Sequence, residues 1–98
     1  MEKENQATIC RWAEETFGPV ADPVVLVDRA MMEMQELRAA VAENDVTEVG
    51  RESADVMILL HRLVDQFGLD LQTQTDAKMA INRKRAWQSK GDGTGSHV

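Results

Sequence analysis

The sequence has 98 residues, of which 43% are hydrophobic and 29% are charged, and its formal net charge is −6. This length fits one domain, and no apolar run reaches the roughly 18–20 residues that a membrane helix needs. The acidic balance argues against a nucleic acid polymer as a partner. The single cysteine, Cys10, fits a protein of a reducing cytoplasm.

Helix signals dominate the sequence, and strand signals are nearly absent because there is no tyrosine and little period-two alternation. The first helix is predicted over about Asn5 to Thr16. Asp22 then has the side chain of an N-cap and precedes Pro23, a residue favoured in the first turn of a helix. The second helix runs from there to about Glu43.

The third helix follows an N-cap at Asp45 and ends near Phe67, where Gly68 is a natural stop. A fourth helix is predicted over Leu71 to Ala86. Short connections favour antiparallel neighbours, so the sequence predicts an all-α, four-helix bundle with an antiparallel central helix pair. We expect residues 1–87 to form the single domain and residues 88–98 to be a flexible tail.

Four carboxylates lie on the two central helices. Glu33 and Glu36 are three residues apart and share a helix face, and Glu52 and Asp55 repeat this spacing on the next helix. Both pairs are placed symmetrically about Asn44, inside the predicted turn. In an antiparallel helix pair, the four side chains should therefore converge.

These carboxylates interrupt the apolar stripes of their helices, so that folding brings like charges together. Such an arrangement is unfavourable unless the groups are protonated or bound to cations. Oxygen ligands suit Mg²⁺ and also Mn²⁺, and the cluster has room for two or more ions. A single Glu-x-x-Glu pair is usually a solvated face, but two pairs in register favour a metal site.

A basic segment follows near the C-terminus, where five basic residues and no acidic residue occur between Lys78 and Lys90. Lys78, Asn82 and Arg85 share one face of the fourth helix and suit the outer phosphates of a nucleotide. The alternative is a solvated helix end favoured by the helix dipole. Trp12 could stack on a base or pack in the core.

The double acidic motif, with fifteen residues between Glu36 and Glu52, resembles the signature of the MazG-like all-α nucleoside triphosphate pyrophosphatases. The similarity extends through Phe67–Leu71 and Lys78–Trp87. The opening segment Arg11–Pro19 resembles the branch of dATP/dGTP pyrophosphohydrolases, many of which are phage-encoded. Together these segments cover roughly residues 9–87.

The resemblance implies metal-dependent cleavage of a (d)NTP, with a preference for purine deoxynucleotides, to the monophosphate and pyrophosphate. It also implies a homodimer or homotetramer. The family often has a further Glu where this chain has Met32, so the number of ions stays open. The implied metal ligands are Glu33, Glu36, Glu52 and Asp55, and the implied phosphate contacts are Lys78, Asn82 and Arg85. Within the acidic cluster, we expect Glu36 to accept the proton of the attacking water as catalytic base. Trp12 is a further candidate for substrate binding.

Two other interpretations remain. The chain could be a non-enzymatic helical interaction module whose acidic residues face solvent. It could also be a di-metal redox bundle, although such bundles use Glu-x-x-His pairs that this sequence lacks. The acidic residues within the apolar stripes disfavour the first interpretation, and the missing histidines disfavour the second.

Overall fold

The computed structural model describes residues 1–98. Four helices occur in the predicted order and are followed by two short strands that the sequence did not predict. The elements are α1 (Gln6–Phe17), α2 (Val24–Ala42), α3 (Val46–Asp65), α4 (Leu71–Lys84), β1 (Trp87–Ser89) and β2 (Gly95–His97). None of the helices is long and apolar enough to cross a membrane.

Side-chain caps explain where three of the helices begin. Asn5 and Thr8 form a capping box at α1, in which the Asn5 side chain accepts a hydrogen bond from the Thr8 backbone N–H at 2.9 Å. Asp45 accepts from the Glu48 N–H at the start of α3. Asp70 does the same for the first turn of α4. Each cap satisfies a backbone donor that has no partner within its helix.

The connections also follow from local chemistry. Asp22 accepts a hydrogen bond from the Val24 N–H at 3.0 Å, while Pro23 already has helical dihedral angles, so α2 starts close to the predicted position. Asn44 adopts φ = 57° in the turn between α2 and α3, and Gly68 adopts φ = 70° after α3. Asparagine and glycine are the residues that tolerate this left-handed backbone best.

The core lies where α2 and α3 pack as an antiparallel pair, with α1 against α3. Leu26, Ala30 and Ala40 of α2 and Ala13 of α1 are the buried residues. By contrast, α4 buries no residue and contacts only α3 to any extent. The helix pair therefore carries most of the apolar packing.

Gln6 anchors the start of α4 to the rest of the bundle. Its Nε2 donates to the Leu69 carbonyl at 2.7 Å and to Asp65 Oδ1 at 3.2 Å. Its Oε1 accepts from the Leu71 N–H at 2.9 Å and lies 3.2 Å from Nδ1 of His61. Polar contacts from α1 thus hold the connection from which α4 departs.

The C-terminal segment, predicted to be a flexible tail over residues 88–98, contains two short paired strands. β1 and β2 form an antiparallel hairpin in which Trp87 pairs with His97, and all six strand residues are exposed. Positive φ angles at Gly91 and Gly93 form the reversal, and the Trp87 indole N–H donates to the Asn82 carbonyl at 2.7 Å. Glycine permits the positive φ angles of this tight turn. That the segment moves independently of a domain spanning residues 1–87 stays a prediction.

Candidate active site

Three of the four predicted metal ligands meet between α2 and α3. Glu33, Glu36 and Glu52 each place a carboxylate oxygen within 4.8 Å of the others, and we call these residues the carboxylate cluster. Glu33 and Glu52 are half-buried, whereas Glu36 is exposed. Asp55 lies one turn further along α3 and outside this group. The antiparallel geometry predicted from the spacing is therefore present.

The protein supplies neither an ion-pair partner to the carboxylate cluster nor a hydrogen-bond donor to its buried oxygens. Oε2 of Glu33 and Oε2 of Glu52 are buried and have no hydrogen-bond partner. The one ion pair in the structure, between Arg51 and Glu48, does not involve the cluster. Buried acceptors without donors are costly, and a hard divalent cation would satisfy both oxygens. The donor set thus fits Mg²⁺ or Mn²⁺.

The raised pKa of Glu52 also favours cation binding at the carboxylate cluster. The adjacent Glu33 carboxylate, which can share a proton with Glu52, raises the pKa of Glu52 to about 7, together with partial desolvation and the nearby Glu36. A carboxyl group that shares its site with like charges holds its proton more tightly, as expected. Around neutral pH the cluster can therefore exchange this proton for a cation.

A cavity of about 590 Å³ adjoins the cluster. It extends from Glu33 and Asp55 to Trp12 and Phe17 of α1, and we call it the aromatic cavity. The two aromatic rings meet edge to face with centroids 5.5 Å apart. The volume lies within the usual range for small-molecule sites. The cavity therefore has aromatic side chains at one end and carboxylates at the other.

The predicted substrate-binding residues fall into two groups. Trp12 lines the aromatic cavity, whereas Lys78, Asn82 and Arg85 on α4 do not. Lys78 and Arg85 are exposed, and Asn82 is half-buried with an Oδ1 atom that is buried and has no partner. A role for these three residues therefore stays a prediction.

Arg62 lines the aromatic cavity without having been singled out by any sequence motif. Its guanidinium carbon lies 5.5 Å from the centroid of the Phe17 ring, close enough for a cation–π contact. A signal was present, because Arg62 follows Asp55 by seven residues and so shares its helix face. In the sequence, however, Arg62 lies between His61 and Leu63, outside the basic segment between Lys78 and Lys90.

No family model matches the chain. A dATP/dGTP diphosphohydrolase of Salmonella phage PMBT28 is 36% identical over 93 residues, which are 95% of this chain and 30% of that protein. A dATP/dGTP diphosphohydrolase of Cyanophage S-2L is 34% identical over 95 residues, which are 97% of this chain and 86% of that protein. The chain thus spans under a third of the first relative and most of the second.

A solved structure agrees with these relatives. The Cyanophage S-2L MazG-like pyrophosphohydrolase, bound to dGDP and three catalytic Mn²⁺ ions per active site, matches with a TM-score of 0.75 and 33% identity. The match covers 95% of this chain and 88% of that chain. With its helix order, its paired acidic motifs and these two phage relatives, the chain belongs to the MazG-like pyrophosphohydrolases, in the branch of the phage dATP/dGTP diphosphohydrolases.

Proposed function

We propose that this chain hydrolyses purine deoxynucleoside triphosphates, dGTP and dATP, to the monophosphate and pyrophosphate. The observation that carries the proposal is the carboxylate cluster, with its two buried oxygens that lack partners, beside a cavity of about 590 Å³. The names of the phage relatives and the dGDP in the similar structure support the nucleotide class.

Four carboxylates are the proposed metal ligands. Glu33, Glu36 and Glu52 already lie together, and Asp55 faces the same cavity as Glu33. When bound, two or more divalent ions supply charge neutralisation at the phosphates and increase the acidity of a coordinated water. Mg²⁺ is the proposed physiological ion, with Mn²⁺ as a substitute, because all the donors are carboxylate oxygens.

Glu36 is the proposed general base. It is the exposed member of the carboxylate cluster, whereas Glu33 and Glu52 each direct an oxygen inward. Water attacks the α-phosphorus, its proton passes to Glu36, and the bond from the α-phosphorus to the bridging oxygen breaks. Pyrophosphate leaves with that oxygen.

Trp12 and the basic face of α4 are the proposed substrate contacts. Trp12 offers a ring for stacking at the end of the aromatic cavity away from the carboxylates. Lys78, Asn82 and Arg85 would bind the outer phosphates, and because they lie outside the cavity of their own chain, they would act on the site of a second copy. This arrangement requires an oligomer.

Association as a homodimer or homotetramer is supported by an apolar stripe on α2. Val24, Val27, Met31 and Met34 recur at helical spacing, and each is exposed by 40% or more. A monomer rarely leaves such a stripe in water. We expect Met31→Lys to produce a smaller species in size-exclusion chromatography with light scattering. A wild-type chain that is fully active as a monomer would contradict this part of the proposal.

A cytoplasmic location, in a bacterium or in the host of a phage, completes the proposal. Cys10 is a free thiol, which fits a reducing compartment. The proposed partner is a small-molecule nucleotide, and neither a nucleic acid polymer nor a membrane is required.

Isotope-labelled water tests the reaction. The chain is incubated with Mg²⁺ and dGTP in water enriched in ¹⁸O. The products are then separated, and mass spectrometry measures the ¹⁸O content of each. We expect one ¹⁸O atom in dGMP and none in pyrophosphate, because the attack occurs at the α-phosphorus. Accumulation of dGDP with orthophosphate, or label in pyrophosphate, would contradict the proposal. Glu36→Ala is the control for a contaminating hydrolase.

A further inference from the structure

The aromatic cavity contains a cationic side chain that the proposed reaction does not use. Arg62 is half-buried, and its guanidinium lies beside the Phe17 ring at the end of the cavity away from the carboxylate cluster. Arg62 forms no ion pair with a carboxylate, since the one ion pair in the structure is between Arg51 and Glu48. The planar donors of Arg62 are thus available to a ligand.

The position of Arg62 along α3 fits a contact with the base of a bound nucleotide. Asp55 and Arg62 are seven residues apart on one helix face, which corresponds to about two turns and roughly 10 Å. Both residues line the same cavity. A nucleotide with its phosphates at the carboxylates and its sugar in the cavity therefore extends its base toward Arg62 and the aromatic rings.

The chemistry of a guanidinium distinguishes the two purines. Guanine presents O6 and N7 as adjacent acceptors, which match two N–H donors of an arginine side by side. Adenine presents N7 beside an amino group, and that donor faces the guanidinium unfavourably. Lysine offers a point charge without the planar fork, so it cannot reproduce the paired contact.

We infer that Arg62 is a specificity-determining residue that favours guanine over adenine by donating to O6 and N7 of the base. The inference rests on the proposed function and adds to it the direction of base selection. Phe17 contacts the guanidinium on one side, and Arg62 also lines the aromatic cavity, where a base could bind.

The test compares kcat/KM for dGTP and dATP, read as pyrophosphate release with Mg²⁺. We expect the wild-type chain to prefer dGTP by about tenfold, the usual size of a paired arginine contact. Arg62→Met should bring the ratio of kcat/KM for dGTP to that for dATP close to one, because dGTP turnover falls. Arg62→Lys should also give a ratio well below that of the wild-type chain. Arg51→Met removes the same charge from the exposed surface of α3 and should keep the wild-type ratio.

A second measurement does not depend on a folded variant. 7-Deaza-dGTP lacks the N7 acceptor, so the wild-type chain should use it several-fold less well than dGTP. Arg62→Met, if folded, should show no such difference. An unchanged dGTP/dATP ratio in Arg62→Met, or equal use of dGTP and 7-deaza-dGTP by the wild type, would overturn the inference. If the wild type releases no pyrophosphate from any dNTP, the proposed function itself fails, which is a distinguishable result.

Discussion

The α2–α3 pair and the C-terminal region, formed by α4 and the hairpin, differ in what holds them in place. The pair contains three of the buried apolar residues, whereas the C-terminal region contains none. The pair nevertheless carries the most unfavourable charges in the chain, with Glu33 and Glu52 half-buried beside each other. The C-terminal region carries the basic face and is anchored through Gln6.

This difference is consistent with the proposed metal site on the α2–α3 pair. Like-charge repulsion tends to separate α2 from α3, so the site occurs where apolar packing is strong enough to oppose it. The basic residues need no such support, because they are solvated and can reach toward a ligand from the surface. Variants and conditions that act on one region alone test this division of roles.

Removing one carboxylate should abolish catalysis without unfolding the pair. We expect Glu36→Ala or Asp55→Ala to lower kcat/KM for dGTP by about 1,000-fold or more, since metal activation supplies several kcal/mol. Circular dichroism should remain helical, because repulsion is relieved. Glu43→Ala, at an exposed position after the end of α2, is the matched control and should retain activity. Full activity in either site variant would refute the metal centre.

Truncating a side chain should lower the free energy of unfolding much more in the α2–α3 pair than in α4. Leu26 is only 4% exposed, so Leu26→Ala should lower the free energy of unfolding by about 2–5 kcal/mol. Met79 of α4 is 40% exposed, and Met79→Ala should cost less than about 1 kcal/mol. Urea titration of both variants measures the difference. Equal losses would mean that α4 is packed more tightly than its exposure indicates.

The metal-free chain should become less stable as the pH rises through the range where Glu52 titrates. Its pKa is about 7 in the folded chain and 4.5 in the ordinary reference state, so the folded state binds the additional proton. The contribution of Glu52 to stability is therefore greatest below the lower value and is lost as the pH rises to the higher one. Thermal melting in EDTA should show this decline, and Glu52→Gln should flatten it.

Divalent ions should reverse the decline. Mg²⁺ added at pH 8 binds the folded carboxylates and not the unfolded chain, so it should raise the Tm of the wild-type chain. The rise should be smaller in Glu52→Gln. A Tm that does not respond to Mg²⁺ or Mn²⁺ would favour the interpretation as a non-enzymatic interaction module.

The smallest effect is expected from the hairpin. Truncation after Trp87 removes strand pairing that buries nothing, so the Tm should fall by no more than a few degrees and the helical signal should persist. Trp87 itself stays in place and keeps its hydrogen bond to the Asn82 carbonyl. Loss of cooperative melting in the truncated chain would show that the hairpin belongs to the folded domain.

Much of this organisation could be predicted from the sequence because it is local or follows from helix symmetry. The caps at Asp45 and Asp70 depend on residues three positions apart. Convergence of Glu36 with Glu52 follows from their equal distance to the turn. These features need helix geometry and no knowledge of side-chain packing.

The remaining features depend on tertiary placement. The aromatic cavity forms because the end of α1 and the connection after it lie over α2 and α3, which no periodicity specifies. The contact between Arg62 and Phe17 joins residues of α3 and α1 that are far apart in the sequence. The hairpin could not be predicted from strand propensity, because glycine lowers that propensity. The same residue type allows the reversal at Gly91 and Gly93.

The helical phase of each acidic motif is set by the residues within its own helix and not by the turn at Asn44. Each helix residue contributes a rotation of about 100° and a rise of about 1.5 Å, so an insertion between Glu36 and Ala42 would turn one pair of carboxylates away from the other. The same insertion in the turn, between the C-terminus of α2 and the Asp45 cap, changes the length of the chain without rotating either motif within its helix. Length variation in chains of this fold should therefore accumulate at the turn, while the spacing within each helix stays constant.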